Sequence, residues 1–186
     1  MNNPYFELIE NVLKGSIDFK YSTLRSSCVS RFSFAIPNVA AIHTIAKYSP
    51  MVEIGAGTGY WAKLLAEANT NIMCFDIAID NNNEYCDNTK WYPVHEGNEY
   101  VLTKMHTSIN LLLSWPPWKN QMALNCLKLF KGKYVIYIGE DRRGCTGTEE
   151  FFEELNIGWE NIDYCRIPNW RGIHDAVYIY KRKERR

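Results

Sequence analysis

The chain has no excess charge of either sign. Its 186 residues hold 21 lysines and arginines against 21 aspartates and glutamates, so no global field draws it to nucleic acid or an anionic membrane, although a local patch stays open. No apolar run approaches the ~20 residues that a membrane-crossing helix needs. Met1-Asn2-Asn3-Pro4 also lacks the basic and apolar regions of a signal peptide. Both absences point to a cytoplasmic protein with no membrane partner. The six cysteines, Cys28, Cys74, Cys86, Cys126, Cys145 and Cys165, form no C-x-x-C pair. That leaves no legible metal site and reads as scattered thiols in a reducing compartment. Repeats, low-complexity stretches and linkers are missing too, and 186 residues with 46% hydrophobic content suit one domain.

What is present centres on Met51 to Leu65, MVEIGAGTGYWAKLL. Val52 and Ile54 supply strand character, while Trp61, Leu64 and Leu65 recur at helical spacing. Between them Gly55, Gly57 and Gly59 fall where strand must become helix, so that backbone can turn sharply and lie close to a ligand. A second strand, Ile72-Met73-Cys74-Phe75, ends at Asp76, about 20 residues past the first glycine, where such folds place an acid that binds ribose. A dinucleotide fingerprint would need a further glycine at position 60, and Tyr60 stands there.

The rest of the chain alternates helix and strand. Asn3-Pro4 caps a helix whose apolar face is Tyr5, Leu8, Ile9, Val12 and Leu13 and whose stop is Gly15. Residues 16 to 36 read as irregular, with Phe32, Phe34 and Ile36 as candidate core. A helix follows, with Val39, Ile42, Ile45 and Ala46 inward. Asp80-Asn81-Asn82-Asn83-Glu84 is a polar loop, and residues 91–97 allow a short third strand. Ile109 to Ser114 is a buried strand broken by Trp115-Pro116-Pro117-Trp118. A helix carrying Ala123, Leu127 and Phe130 leads to a fifth strand, Tyr134 to Gly139. Thr146 and Glu149 fit a capping box, and final strands are expected around 159–167 and 176–180. Glu140 and Asp141 read as a solvated turn, His174 beside Asp175 as an exposed histidine of no special role, and residues 181–186 as a solvated basic tail.

The pattern E-x-G-x-G-x-G from Glu53 to Gly59, with Asp76 after the next strand, resembles motif I of the class I S-adenosylmethionine-dependent methyltransferases. The resemblance implies an α/β three-layer sandwich around a mostly parallel seven-stranded sheet with an antiparallel terminal strand, here trimmed between strands 2 and 4. It implies one methyltransferase domain over 1–186: helices of 1–49 covering the cofactor cleft, a cofactor-binding core at 51–139 and a substrate-side part at 140–186. It also implies S-adenosyl-L-methionine as cofactor. Glu53, Gly55, Ala56, Gly57, Gly59, Tyr60 and Trp61 would surround its methionine part. Asp76 would hold the ribose and Glu96 the adenine, with Ile77 and Gly97 next to them as further cofactor-binding residues. Arg31, Phe34 and Pro37 would wall the open side. Ser114-Trp115-Pro116-Pro117 resembles the Asp/Asn/Ser-Pro-Pro-aromatic motif IV of amino-methyltransferases, with Trp115 inserted between the polar residue and the prolines. It implies catalytic roles for Ser114, Trp115, Pro116 and Pro117, cofactor contact from Ser114, and an amino nitrogen of a nucleobase or protein side chain as acceptor. An NAD(P)-dependent oxidoreductase and a non-catalytic nucleotide-binding module are the alternative readings. The acceptor itself, whether nucleic acid, protein or small molecule, and the oligomeric state are not encoded in any motif.

Overall fold

A computed structural model describes residues 2–14, 21–78, 83–142 and 144–184. Gly15 as a helix stop, the Asp80–Asn82 part of the polar loop, Arg143 and the last two arginines of the tail lie outside those residues. The elements run α1 (Pro4–Lys14), α2 (Tyr21–Arg31), α3 (Val39–Ala46), β1 (Met51–Ile54), α4 (Tyr60–Glu67), β2 (Ile72–Asp76), β3 (His95–Glu96), a 3-10 helix (Glu99–Lys104), β4 (Asn110–Ser114), α5 (Met122–Leu129), β5 (Tyr134–Gly139), α6 (Glu149–Gly158), β6 (Trp159–Arg166) and β7 (Ala176–Arg182).

The seven strands form one sheet in the order β3-β2-β1-β4-β5-β7-β6. Pairing is parallel from β3 through β5, and β7 runs antiparallel to both of its neighbours. The expected seven-stranded α/β sandwich is therefore the observed fold. Because β1 and β4 are buried on both faces, their runs are apolar almost without alternation. One face packs under α1 to α4 through residues such as Tyr5, Ile9, Ile42, Trp61 and Leu65. The other packs under α5 and α6 through Val52, Leu113, Leu127, Phe151 and Leu155. Among the described residues no helix is long and apolar enough to cross a membrane.

Several local readings need correction. Residues 21–31 are helical although YSTLRSSCVSR has no apolar stripe; serines and threonines weaken the periodic signal, and only Cys28 and Val29 are buried. Leu8 and Val39, expected inward, are exposed, because Tyr5 with Ile9 and Ala41 with Ile42 take the buried faces instead. The third strand shrinks to two residues. The cap of α6 is Thr148, whose hydroxyl accepts from the Phe151 N–H. Thr146 is instead buried against Tyr137 and Glu140. The basic tail is structured as far as Lys183: Arg182 donates to the Phe130 and Gly132 carbonyls and stacks on Trp159, and Lys183 donates to the Asn156 carbonyl.

Candidate active site

Parallel strands ending on one edge leave a crevice where the connections diverge, and in such sheets ligands settle there. Here β1 lies between β2 and β4, and the loops after all three border an open cleft of about 820 Å³. Its floor is Glu53 to Thr58, with Asp76, Ile77 and Ala78 on one side and Ser114 to Asn120 on the other.

The glycine turn is shaped for close approach. Gly55, Gly57 and Gly59 have φ of 75°, 55° and 74°, a region costly for any residue with a Cβ. A Cβ at Gly59 would stand 3.0 Å from that of Tyr92, so this position is also closed by packing. A Cβ at Gly57 would meet nothing within 4 Å. Bare backbone there faces the open cleft, which is the cradle that a ligand would fill. Asp76 is turned toward it: Oδ2 accepts the Gly57 N–H at 2.9 Å and Oδ1 the Ala78 N–H at 3.1 Å. Thr58 ties the turn to the end of α2 through a hydrogen bond to the Phe32 carbonyl.

Glu53 is 1% exposed yet lines the cleft. Its recorded partner is the Cys74 thiol, whose sulfur lies 3.7 Å from Oε2. Burial pushes its carboxyl up to about 8, against the thiol's small opposing effect, and the nearby Asp76 adds to the rise. Among the described lining residues the carboxyl-bearing Glu53, Asp76, Glu84 and Glu99 face one ammonium, Lys119. Three carboxyl-bearing residues besides the raised Glu53 still outnumber that one ammonium, so the cleft favours a cationic ligand.

On the far side Trp115 takes a left-handed backbone, φ 53°, unusual for a bulky residue. Its N–H donates to the Ile138 carbonyl at 2.7 Å, and its indole N–H reaches both oxygens of Asp175 at 2.8 Å. Phe34 stacks on the indole with centroids 4.4 Å apart. Asp175 is 4% exposed, and burial lifts its carboxyl to about 7 although the indole bond opposes the rise. Beside it, Glu140 is buried rather than solvated. Burial raises its pKa, but hydrogen bonds from the Cys145 thiol and from the Cys145 and His174 N–H groups more than offset this and hold it below the usual range. The His174 ring is 84% exposed and 3.5 Å from the same carboxylate.

Most of the expected site residues converge. Glu53, Gly55, Ala56, Gly57, Tyr60, Trp61, Asp76, Ile77, Gly97, Ser114, Trp115, Pro116, Pro117 and Phe34 line the cleft, and Gly59 shapes its turn. Tyr60 sends its hydroxyl away from the ligand side, onto Asn3 of the N-terminal segment. Three residues fall elsewhere. Glu96 is exposed on the short edge strand, and Gly97, Asn98 and Glu99 take its place along the cleft. Pro37 is buried beneath Asn3, which donates to its carbonyl. Arg31 lies over the Phe32 ring. Sequence reasoning missed Tyr85 and Cys145, which line the cleft, and noticed Asp175 only as the neighbour of His174. For Asp175 the signal was a lone acid between two strands, and nothing local tells that it meets a tryptophan 60 positions away.

Comparison with known proteins agrees with this geometry. No family model matches the chain, and no curated protein matches it in sequence. Solved structures do. Magnesium protoporphyrin IX methyltransferase from Synechocystis, crystallised with SAM, is similar with a TM-score of 0.52 at 13% identity, over 97% of this chain and 95% of that one. The N-methyltransferase NodS from Bradyrhizobium japonicum, in complex with S-adenosyl-L-homocysteine, gives 0.50 at 13% identity, over 98% and 100%. With the strand order and the glycine turn, these matches establish that the chain has the fold of the class I S-adenosylmethionine-dependent methyltransferases.

Proposed function

We propose that the protein is an S-adenosylmethionine-dependent methyltransferase. The observation that carries this reading is the bare cradle at Gly57, bordered by the Asp76 carboxylate and the buried Glu53, in a cleft whose few charged lining residues are mostly acidic. When bound, the cofactor supplies a methyl group already activated by its sulfonium charge. What remains for the chain is orientation and exclusion of water. Gly55 and Gly57 present backbone to the methionine part, Glu53 receives its ammonium, and Asp76 receives the ribose hydroxyls. Phe34 and Trp115 shield the reacting side.

Ser114, Trp115, Pro116 and Pro117 form the acceptor side of the site. Their place at the carboxyl end of β4, beside the glycine turn, supports an acceptor amino nitrogen on a nucleobase or a protein side chain. Such a nitrogen needs no dedicated base if it carries a lone pair at the working pH. Tyr60 speaks against the nicotinamide alternative, because the third dinucleotide glycine is replaced by a ring committed to packing under α1.

Calorimetric titration tests the reading. S-adenosylhomocysteine should bind with a micromolar dissociation constant and NAD should not bind. Binding of NAD in preference, or of neither, would refute it. Labelled methyl donor offered to nucleic-acid, protein and small-molecule fractions would then identify the acceptor.

A further inference from the structure

The pairing of Trp115 with Asp175 is costly if it serves packing alone. A buried indole N–H needs one acceptor, and a neutral carbonyl would satisfy it without bringing a carboxyl group out of water. Here an acid that is 4% exposed presents both oxygens to that N–H at 2.8 Å. The acid is itself anchored: its backbone N–H donates to Asn169 Oδ1 at 2.7 Å, and Asn169 Nδ2 donates back to the Asp175 carbonyl at 3.0 Å. The indole is held on its other sides by the left-handed backbone at Trp115 and by the Phe34 stack. Both rings line the cleft. Three separate stretches of chain thus converge to fix one ring pair at the cleft.

Above about pH 7, where the Asp175 carboxyl is ionised, an anion behind the indole N–H pushes electron density onto the ring, which strengthens its attraction for a cation at the aromatic surface. Among the described residues, Glu140, Arg25 and His174 are ionisable groups within electrostatic reach of Asp175.

We propose that Asp175 is a positioning residue that acts through Trp115 to make the cleft selective for a positively charged sulfonium over a neutral thioether. The inference rests on the methyltransferase reading. It adds to it a device that releases spent cofactor: transfer of the methyl group converts a cationic ligand into a neutral one, and the Phe34–Trp115 wall then loses its hold.

The test is the ratio of dissociation constants for S-adenosylmethionine and S-adenosylhomocysteine, measured by calorimetry without any acceptor. Asp175→Asn keeps an acceptor oxygen but removes the charge, and Trp115→Phe keeps a ring but removes the N–H. Each should weaken S-adenosylmethionine roughly 3- to 10-fold relative to S-adenosylhomocysteine, as expected for a cation–π contact partly shielded from water. In the Trp115→Phe background, Asp175→Asn should change the ratio no further. Equal losses for both ligands would reduce Asp175 to structural support and overturn the proposal, as would additive effects in the double variant. If Asp175→Asn does not fold, an unchanged ratio in Trp115→Phe alone overturns it. Failure of the unmutated protein to bind either ligand would instead sink the proposed function.

Discussion

Replacing Glu53 by glutamine should stabilise the ligand-free protein while weakening its ligand binding. The carboxyl is 1% exposed at the base of the cleft, and burial raises it from an ordinary 4.5 to about 8. Between those values the unfolded chain gives up the proton and the folded chain keeps it. The unfolded state is then favoured by ~1.4 kcal/mol for each pH unit crossed. The Glu53 contribution to stability is therefore lost as pH rises through this window and levels off above pH 8. The difference between Glu53→Gln and wild type, from urea denaturation, should be under about 1 kcal/mol at pH 5, on the order of 3 kcal/mol at pH 7 and roughly 5 kcal/mol at pH 9, favouring the variant. Taking the difference cancels Asp175 and the other titrating groups that do not interact with Glu53, and leaves Cys74 and Asp76, which do. Glutamine cannot neutralise an ammonium, so S-adenosylhomocysteine should bind the variant at least 10-fold more weakly at pH 8, where the wild-type carboxyl ionises readily. A stability difference that stays flat with pH would refute the assignment of Glu53 as a buried, largely protonated acid.

Three further outcomes follow from the geometry. Gly57→Ala should cost about 1 kcal/mol in denaturation, because its φ of 55° disfavours a Cβ. The same change should weaken S-adenosylhomocysteine at least 10-fold by calorimetry, since the methyl enters the cradle. Asp76→Ala removes the acceptor of the Gly57 and Ala78 N–H groups; titration should show a loss of roughly 10-fold or more in affinity, about 1.4 kcal/mol or greater. Thr148→Ala removes the cap of α6 and should lower stability by about 1 kcal/mol with affinity for S-adenosylhomocysteine unchanged, because α6 does not border the cleft.

The cofactor side of the site is legible because its requirements are local. A glycine at 55, 57 or 59 answers to the backbone at that position, and Asp76 follows from ending the next strand in register. Apolar runs at Leu111–Leu113 and Val135–Ile138 likewise report strands buried on both faces. Legibility fades where neighbours decide. The helix at 21–31 escapes notice because its sequence carries no stripe: it buries Cys28 and Val29 and packs Tyr21 and Leu24 at the edge of the core. Leu8 and Val39 are read as inward because periodicity marks a stripe but not which edge of the stripe faces the sheet. Glu96 is displaced from the expected adenine site because the edge strand carrying it pairs over just two residues, and the chain then swings Gly97 to Glu99 past the cleft.

Sequence alone determined the strand–turn–helix cradle, the acid that follows it and hence the fold, since those depend on backbone freedom and on hydrophobic pattern within a few residues. The tertiary structure alone decided that Glu53 is a buried acid, that Glu140 is sequestered by Cys145 and His174, and that Asp175 sits behind Trp115. Those properties arise from desolvation and from partners distant in the chain, and both come into being when the sheet brings the ends of β1, β4, β5 and β7 together.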